Sequence, residues 1–128
     1  MGEALVVDDS KVMREMVIAC LRAQDGLIFT QAASGLEALE KLSLKLFDFV
    51  VLDLNMPDIG GYEVIEFIRG QDRLRQLPIL VVTTRGDESS RARALAAGAT
   101  RFMTKPFSPD VLLGEVRAMI GARPGVPT

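Results

Sequence analysis

Three runs of four apolar residues, Ala4-Leu5-Val6-Val7, Phe49-Val50-Val51-Leu52 and Ile79-Leu80-Val81-Val82, contain no polar residue and stop abruptly at polar ones. A strand with one face in water alternates in polarity, whereas a strand covered on both faces does not. The runs are therefore predicted strands of a parallel sheet with helices above and below it. What ends them is equally informative: Asp8-Asp9-Ser10 after the first, Asp53 after the second, Thr83-Thr84 after the third. Pro57 then bars the middle run from continuing in regular pairing. An acid at a strand tip has a fixed backbone and an accessible side chain, which suits chemistry. A lone turn acid looks the same, so Asp53 gains meaning only from what else reaches that place.

The remaining elements fall between these runs. Ser10 is an N-cap for a helix with apolar positions Val12, Met13, Met16, Val17, Cys20 and Leu21, closed by Asp25-Gly26. Residues 27–32 form a second, mixed strand containing Thr30 and Gln31. Ser34-Gly35-Leu36-Glu37 fits a capping box, with Ala38, Leu39 and Leu42 on the buried face of helix two. The third strand spans 48–53. After the loop Asp58-Ile59-Gly60-Gly61, residues Val64, Ile65, Phe67 and Ile68 mark helix three, with Gly70 as a left-handed cap. Asp87 and Glu88 open an alanine-rich fourth helix that runs to Gly98. A short strand, 100–104, leads to Lys105-Pro106, and Ser108-Pro109-Asp110 opens a last helix through Val111, Leu112, Val116, Met119 and Ile120. One domain is expected over 1–121, with 122–128 a tail or the start of a linker.

Five strands alternating with five helices predict a doubly wound α/β fold with a five-stranded parallel sheet. The fully apolar strands 1, 3 and 4 belong inside and the mixed strands 2 and 5 at the edges, which the order 2-1-3-4-5 satisfies. Right-handed crossovers then put helices 1 and 5 on one face and helices 2, 3 and 4 on the other. Ligands of such sheets bind beyond the strand C-termini where the order reverses, between strands 1 and 3, and this is where Asp8, Asp9 and Asp53 converge.

Composition narrows the chemistry. The 128 residues include no histidine, which removes the commonest general base, the usual zinc ligand and every Ser-His or Cys-His nucleophile. The single cysteine, Cys20, has no internal partner and lies among apolar residues, as an inert core thiol in a reducing compartment would. A net charge of -2 offers no broad basic surface, so no direct nucleic-acid contact is expected. No membrane span or leader pattern is seen, and a cytoplasmic location is expected.

Three carboxylates in one crevice repel, at about 5 Å and an effective dielectric near 20 by roughly 3 kcal/mol per pair. Mg²⁺ suits such a place because it takes oxygen ligands and prefers one or two carboxylates together with a phosphate; Mn²⁺ is a substitute with similar ligands. Lys105 supplies a second cation, although a lone lysine is more often a solvated charge. Between two cations Asp53 can act as a nucleophile on phosphorus, giving an aspartyl phosphate. Thr83, on the adjacent strand, has a hydroxyl able to bond a phosphoryl oxygen, or merely to satisfy a strand end.

Together, Asp8-Asp9, Asp53 followed by Leu54-Asn55-Met56-Pro57, Thr83 and Lys105-Pro106 resemble the signature of the response-regulator receiver domain of two-component signalling, most closely its single-domain chemotaxis-type members. The resemblance covers residues 4 to 120 and implies the flavodoxin-like (βα)5 fold. It implies that Asp53 is the phosphoacceptor. Asp9, Asp53 and the Asn55 carbonyl would bind Mg²⁺ directly, and Asp8 through water. Thr83 and Lys105 would contact the phosphoryl group, and the Lys105-Pro106 bond would be cis. Phe102 would be the aromatic switch residue, unless it is a core-edge aromatic.

The implied donor is a phosphohistidine on a sensor kinase or phosphotransfer protein, and the implied output is a downstream protein target, with dimerisation left open. The chain would be a switch that catalyses only its own phosphoryl transfer and slow hydrolysis, not a metabolic enzyme. Thr84, where the family commonly has a smaller residue, with Arg85 and Asn55, leaves the phosphoryl lifetime open.

Other readings fit less well. A phosphorylation-independent binding module would be marked by loss of an acid or the lysine, and all are present. The regulatory part of a longer regulator would share every motif. An aspartyl-phosphate hydrolase would place a second aspartate where Asn55 stands. In a flavodoxin-like electron carrier, Asp8-Asp9 would repel the cofactor phosphate.

Overall fold

The computed structural model describes residues 2–24 and 26–121. Asp25 of the predicted Asp25-Gly26 closure and the predicted tail 122–128 lie outside the described residues. The elements in order are β1 (Gly2–Val7), α1 (Lys11–Leu21), β2 (Leu27–Ala32), α2 (Gly35–Leu44), β3 (Phe49–Leu52), α3 (Gly61–Gly70), β4 (Ile79–Thr83), α4 (Glu88–Ala97), β5 (Arg101–Thr104) and α5 (Pro109–Gly121). All strand pairs are parallel, and the order is β2-β1-β3-β4-β5. The expected fold, strand order and edge strands are those observed.

The sheet separates two apolar layers. Leu5, Val7, Val50, Leu52 and Val81 point to the side of α2, α3 and α4, where they meet Ala38, Leu42, Val64, Ile65, Ile68 and Ala94. Ala4, Val6, Phe49, Val51, Leu80 and Val82 point to the side of α1 and α5, against Val17, Ile18, Leu21, Leu112, Val116 and Met119. Successive strand residues face opposite sides, so four apolar residues in a row are needed to fill both layers.

The helix starts are those the side chains predict. Ser10, Ser34 and Asp87 each accept a backbone N–H three residues on, from Met13, Glu37 and Ser90, and Ser108 does the same for Val111. Several local expectations are corrected. In α1 the buried stripe is Val17, Ile18 and Leu21, whereas Val12 and Met16 are 70 and 47% exposed, because the N-terminal half of the helix overhangs the sheet. Val111 is likewise exposed at the start of α5. Gly70 is the last residue of α3 and not a left-handed cap; among the described residues the positive-φ glycines are Gly26 and Gly98, and Gly98 closes α4.

Candidate functional site

The register brings the acids together. Val7 pairs with Leu52, so Asp8 and Asp53 are the next residues on adjacent strands, and the Asp53 N–H donates to the Val7 carbonyl at 3.0 Å. Thr83 pairs with Thr104, and the Lys105 N–H donates to the Thr83 carbonyl at 2.8 Å, so the lysine leaves the sheet beside the end of β4. Its Lys105-Pro106 peptide bond is cis, as the resemblance implies.

The Lys105 side chain runs back across the strand tips. Its Nζ donates to Asp8 Oδ2 at 2.7 Å and to Asp53 Oδ2 at 3.4 Å. Asp8 and Asp53 are buried, Asp9 is exposed, and one carboxylate oxygen from each of the three lies within 4.8 Å of the others. One ammonium against three carboxylates leaves a formal surplus of two negative charges. The donors are all hard oxygens, with no imidazole or thiolate near, so the residues fit a small divalent cation of the Mg²⁺ or Mn²⁺ type.

Backbone groups hold the acids in place. Asp8 Oδ1 accepts the Ser10 N–H at 2.9 Å, and Asp53 Oδ1 accepts the Asn55 N–H at 3.3 Å. The Arg14 guanidinium donates to the Asp8 carbonyl at 2.7 Å and to Gln31 Oε1 at 2.9 Å, tying the first turn of α1 to the ends of β1 and β2. Gly61 packs so closely that a Cβ there would stand 2.6 Å from the Asp53 carbonyl oxygen and 2.7 Å from Leu54 Cα. Asp58 Oδ1 and Oδ2 accept the N–H groups of Gly35 and Leu36, at 3.1 and 3.2 Å, so the loop after β3 caps α2. The Ile59 N–H first, and then those of Leu36 and Gly35, hold the Asp58 carboxyl below its ordinary range.

A scan of protein-family models matches residues 4–117 to the response regulator receiver domain. The chain belongs to this family. Among relatives of this receiver domain, chemotaxis protein CheY1 of Helicobacter pylori is 34% identical, the alignment covering 91% of this chain and 95% of CheY1. The chemotaxis response regulator CheY4 of Vibrio cholerae, a solved structure, is 36% identical with a TM-score of 0.86, over 93% of this chain and 98% of that one. The receiver domain of sensor histidine kinase PA1611 from Pseudomonas aeruginosa is 29% identical with a TM-score of 0.86, over 94 and 98% of the two chains, and holds a magnesium ion in its active-site cleft.

Within this receiver domain the predicted residues divide into two groups. Asp8, Asp9, Asp53 and Lys105 form one cluster. Thr83 is fully buried at the adjoining strand end, its Oγ1 accepting the Arg85 N–H at 3.2 Å, and the hydroxyl proton remains for another acceptor. The Asn55 side chain turns outward, its amide 3.5 Å from Thr84 Oγ1. Phe102 stands outside the acid cluster on β5, half-buried, with the Arg91 guanidinium 5.9 Å from its ring centre. Sequence reasoning missed Arg14 and Asp58: Arg14 bonds the Asp8 carbonyl and the Gln31 side chain, and Asp58 bonds backbone N–H groups more than twenty residues earlier, so neither leaves a motif to read.

Proposed function

We propose that this receiver domain is a phosphorylation switch in which Asp53 takes a phosphoryl group from a phosphohistidine on a partner kinase or phosphotransfer protein. The supporting observation is Lys105 Nζ placed between Asp8 and Asp53 at the point where the strand order reverses. A carboxylate oxygen of Asp53 attacks phosphorus, the donor's phosphorus–nitrogen bond breaks, and the electron pair leaves on imidazole, which takes up a proton. Lys105 keeps the nucleophile oriented and then faces the phosphoryl oxygens with its ammonium. The Thr83 hydroxyl donates to one of them. Asp9, Asp53 and the Asn55 carbonyl would hold Mg²⁺ (or Mn²⁺), with Asp8 acting through water. When bound, that ion offsets the carboxylates' surplus charge and the charge of the incoming phosphate.

Output is assigned to the face of α4, β5 and α5. As Thr83 closes on the phosphoryl group it vacates space beside β5, and Phe102 turns inward from beneath Arg91. Carrying such a face from 1:99 to 99:1 takes about 5.5 kcal/mol, within reach of a few charge-assisted bonds to phosphate. On this reading the domain catalyses only its own phosphorylation and slow hydrolysis, and it works in the cytoplasm on a downstream protein target. Among the described residues no helix is long and apolar enough to cross a membrane.

Incubation with acetyl phosphate and Mg²⁺ should add one phosphoryl mass to the intact protein, and Asp53→Asn should gain none. Equal labelling of the two proteins would place the acceptor elsewhere.

A further inference from the structure

We propose that the cleft between α2 and α3 receives one amphipathic helix of a partner protein, with an apolar stripe flanked by lysine or arginine. Helices packed on a sheet normally turn their polar side outward. Here α2 leaves Leu36 and Leu44 53 and 79% exposed. Leu39, Ser43 and Leu44 of α2, with Phe67 of α3, line an open hollow of about 480 Å³, and a second hollow sharing Ser43 and Phe67 continues it toward Leu74. An elongated apolar floor between two helices is the shape that accepts a third helix.

The charges at the rim select the occupant. Glu40 of α2 lines the first hollow and Glu63 stands one turn before Phe67 on α3; both are exposed and form no ion pair among the described residues. Three cations on or beside these elements are held by other partners. The Arg73 guanidinium donates to the Leu42 carbonyl from both terminal nitrogens, Arg69 reaches the carbonyls of Gly98, Arg75 and Leu77, and Lys45 pairs with Glu3. An apolar floor whose wider hollow is edged by unpaired glutamates complements an amphipathic helix with basic flanks at that end. A second copy of this chain fits poorly, because a two-fold contact through this face would set the same glutamates against themselves. The inference needs no phosphoryl chemistry and stands apart from the function proposed for Asp53.

The test is selection of displayed helical peptides against the intact protein. Each peptide carries a fixed leucine stripe and flanks randomised among lysine, glutamate and glutamine. Lysine-flanked peptides should be enriched, and their amide shifts in NMR spectra should be confined to α2 and α3. Leu44→Glu, at an exposed position, should weaken them roughly tenfold or more. The double reversal Glu40→Lys with Glu63→Lys should move the preference to glutamate flanks, with the spectra reporting that both variants are folded. Absence of enrichment, indifference to flank charge, or shifts centred on another face would overturn the proposal. So would self-association of the free protein that Leu44→Glu abolishes, since that would give the face to a second copy.

Discussion

The tips of β1 and β3 and the helix α4 are held to very different degrees. At the tips, Asp8 and Asp53 retain 5 and 6% of their surface, and both are gripped by backbone donors and by one lysine. In the ten residues of α4, only Ser90 and Ala94 are buried. Groups with many fixed partners are set before any ligand arrives, whereas a helix with little buried apolar surface is displaced at small free-energy cost. The proposed switch needs both properties in one domain: a geometry that does not yield where chemistry occurs, and a part that yields where the result is read. β4 joins them, since it packs beside β3 along its length and ends in Thr83 just before the loop into α4.

The contrast is broken most severely at Lys105. Lys105→Ala would leave two buried carboxylates facing each other, and loss of one partner from a buried ion pair costs about 3–5 kcal/mol. Thermal unfolding should show that loss, and added Mg²⁺ should restore more stability to the variant than to the parent. Gly61→Ala comes next. Its Cβ would meet backbone atoms of Asp53 and Leu54 that have nowhere to go, and overpacking of this kind costs about 1–3 kcal/mol. Urea unfolding would register it, and a divalent-cation titration should weaken in parallel, because the displaced atoms carry the Asp53 carboxylate. Leu95→Ala on α4, at a residue 37% exposed, should change stability by less than about 0.5 kcal/mol in the same assay. A loss approaching that at Gly61 would show α4 to be as firmly seated as the strand tips.

The smallest effect is one of pH. The Asp87 carboxyl lies below its ordinary value of 3.8, first because of the Ser90 N–H and then the Ser90 hydroxyl. A group depressed in the folded state contributes its stability above the unfolded value, near pH 4, and loses it as pH falls through the lower folded value. Hydrogen exchange should therefore show α4 amides opening below about pH 4 before those of α3, whose N-cap, Gly60, has no side chain to titrate. Simultaneous opening of the two helices would remove the distinction.

Much of this architecture was legible because its signals are local. The unbroken runs at 49–52 and 79–82 require cover on both faces, and Ser10, Ser34, Asp87 and Ser108 each bond a backbone N–H three residues away. The meeting of Asp8 and Asp53 could be expected once the strand order was settled, since adjacent strands end side by side, while Lys105 reaches them from β5 across the end of β4 by the length of its side chain. The exposure of Val12 and Met16 could not, because helical spacing states which residues share a face but not how far the helix extends past the sheet. Gly70 misled for a related reason: a glycine at a helix end permits a left-handed turn without requiring one. Arg69 and Arg73 act on backbone carbonyls some thirty residues away, and Arg14 on one nearer by, and a carbonyl carries no residue identity from which to infer its partner.

The carboxylate of Asp58 on the first turn of α2 has a bearing on how the chain is made. Its partner Gly35 precedes it by 23 residues. A ribosome therefore releases α2 and the whole of β3 before the group that secures the helix start has been synthesised. During translation that helix begins with Ser34 alone to hold its end, and the second anchor arrives only with the loop that follows the Asp53 strand tip.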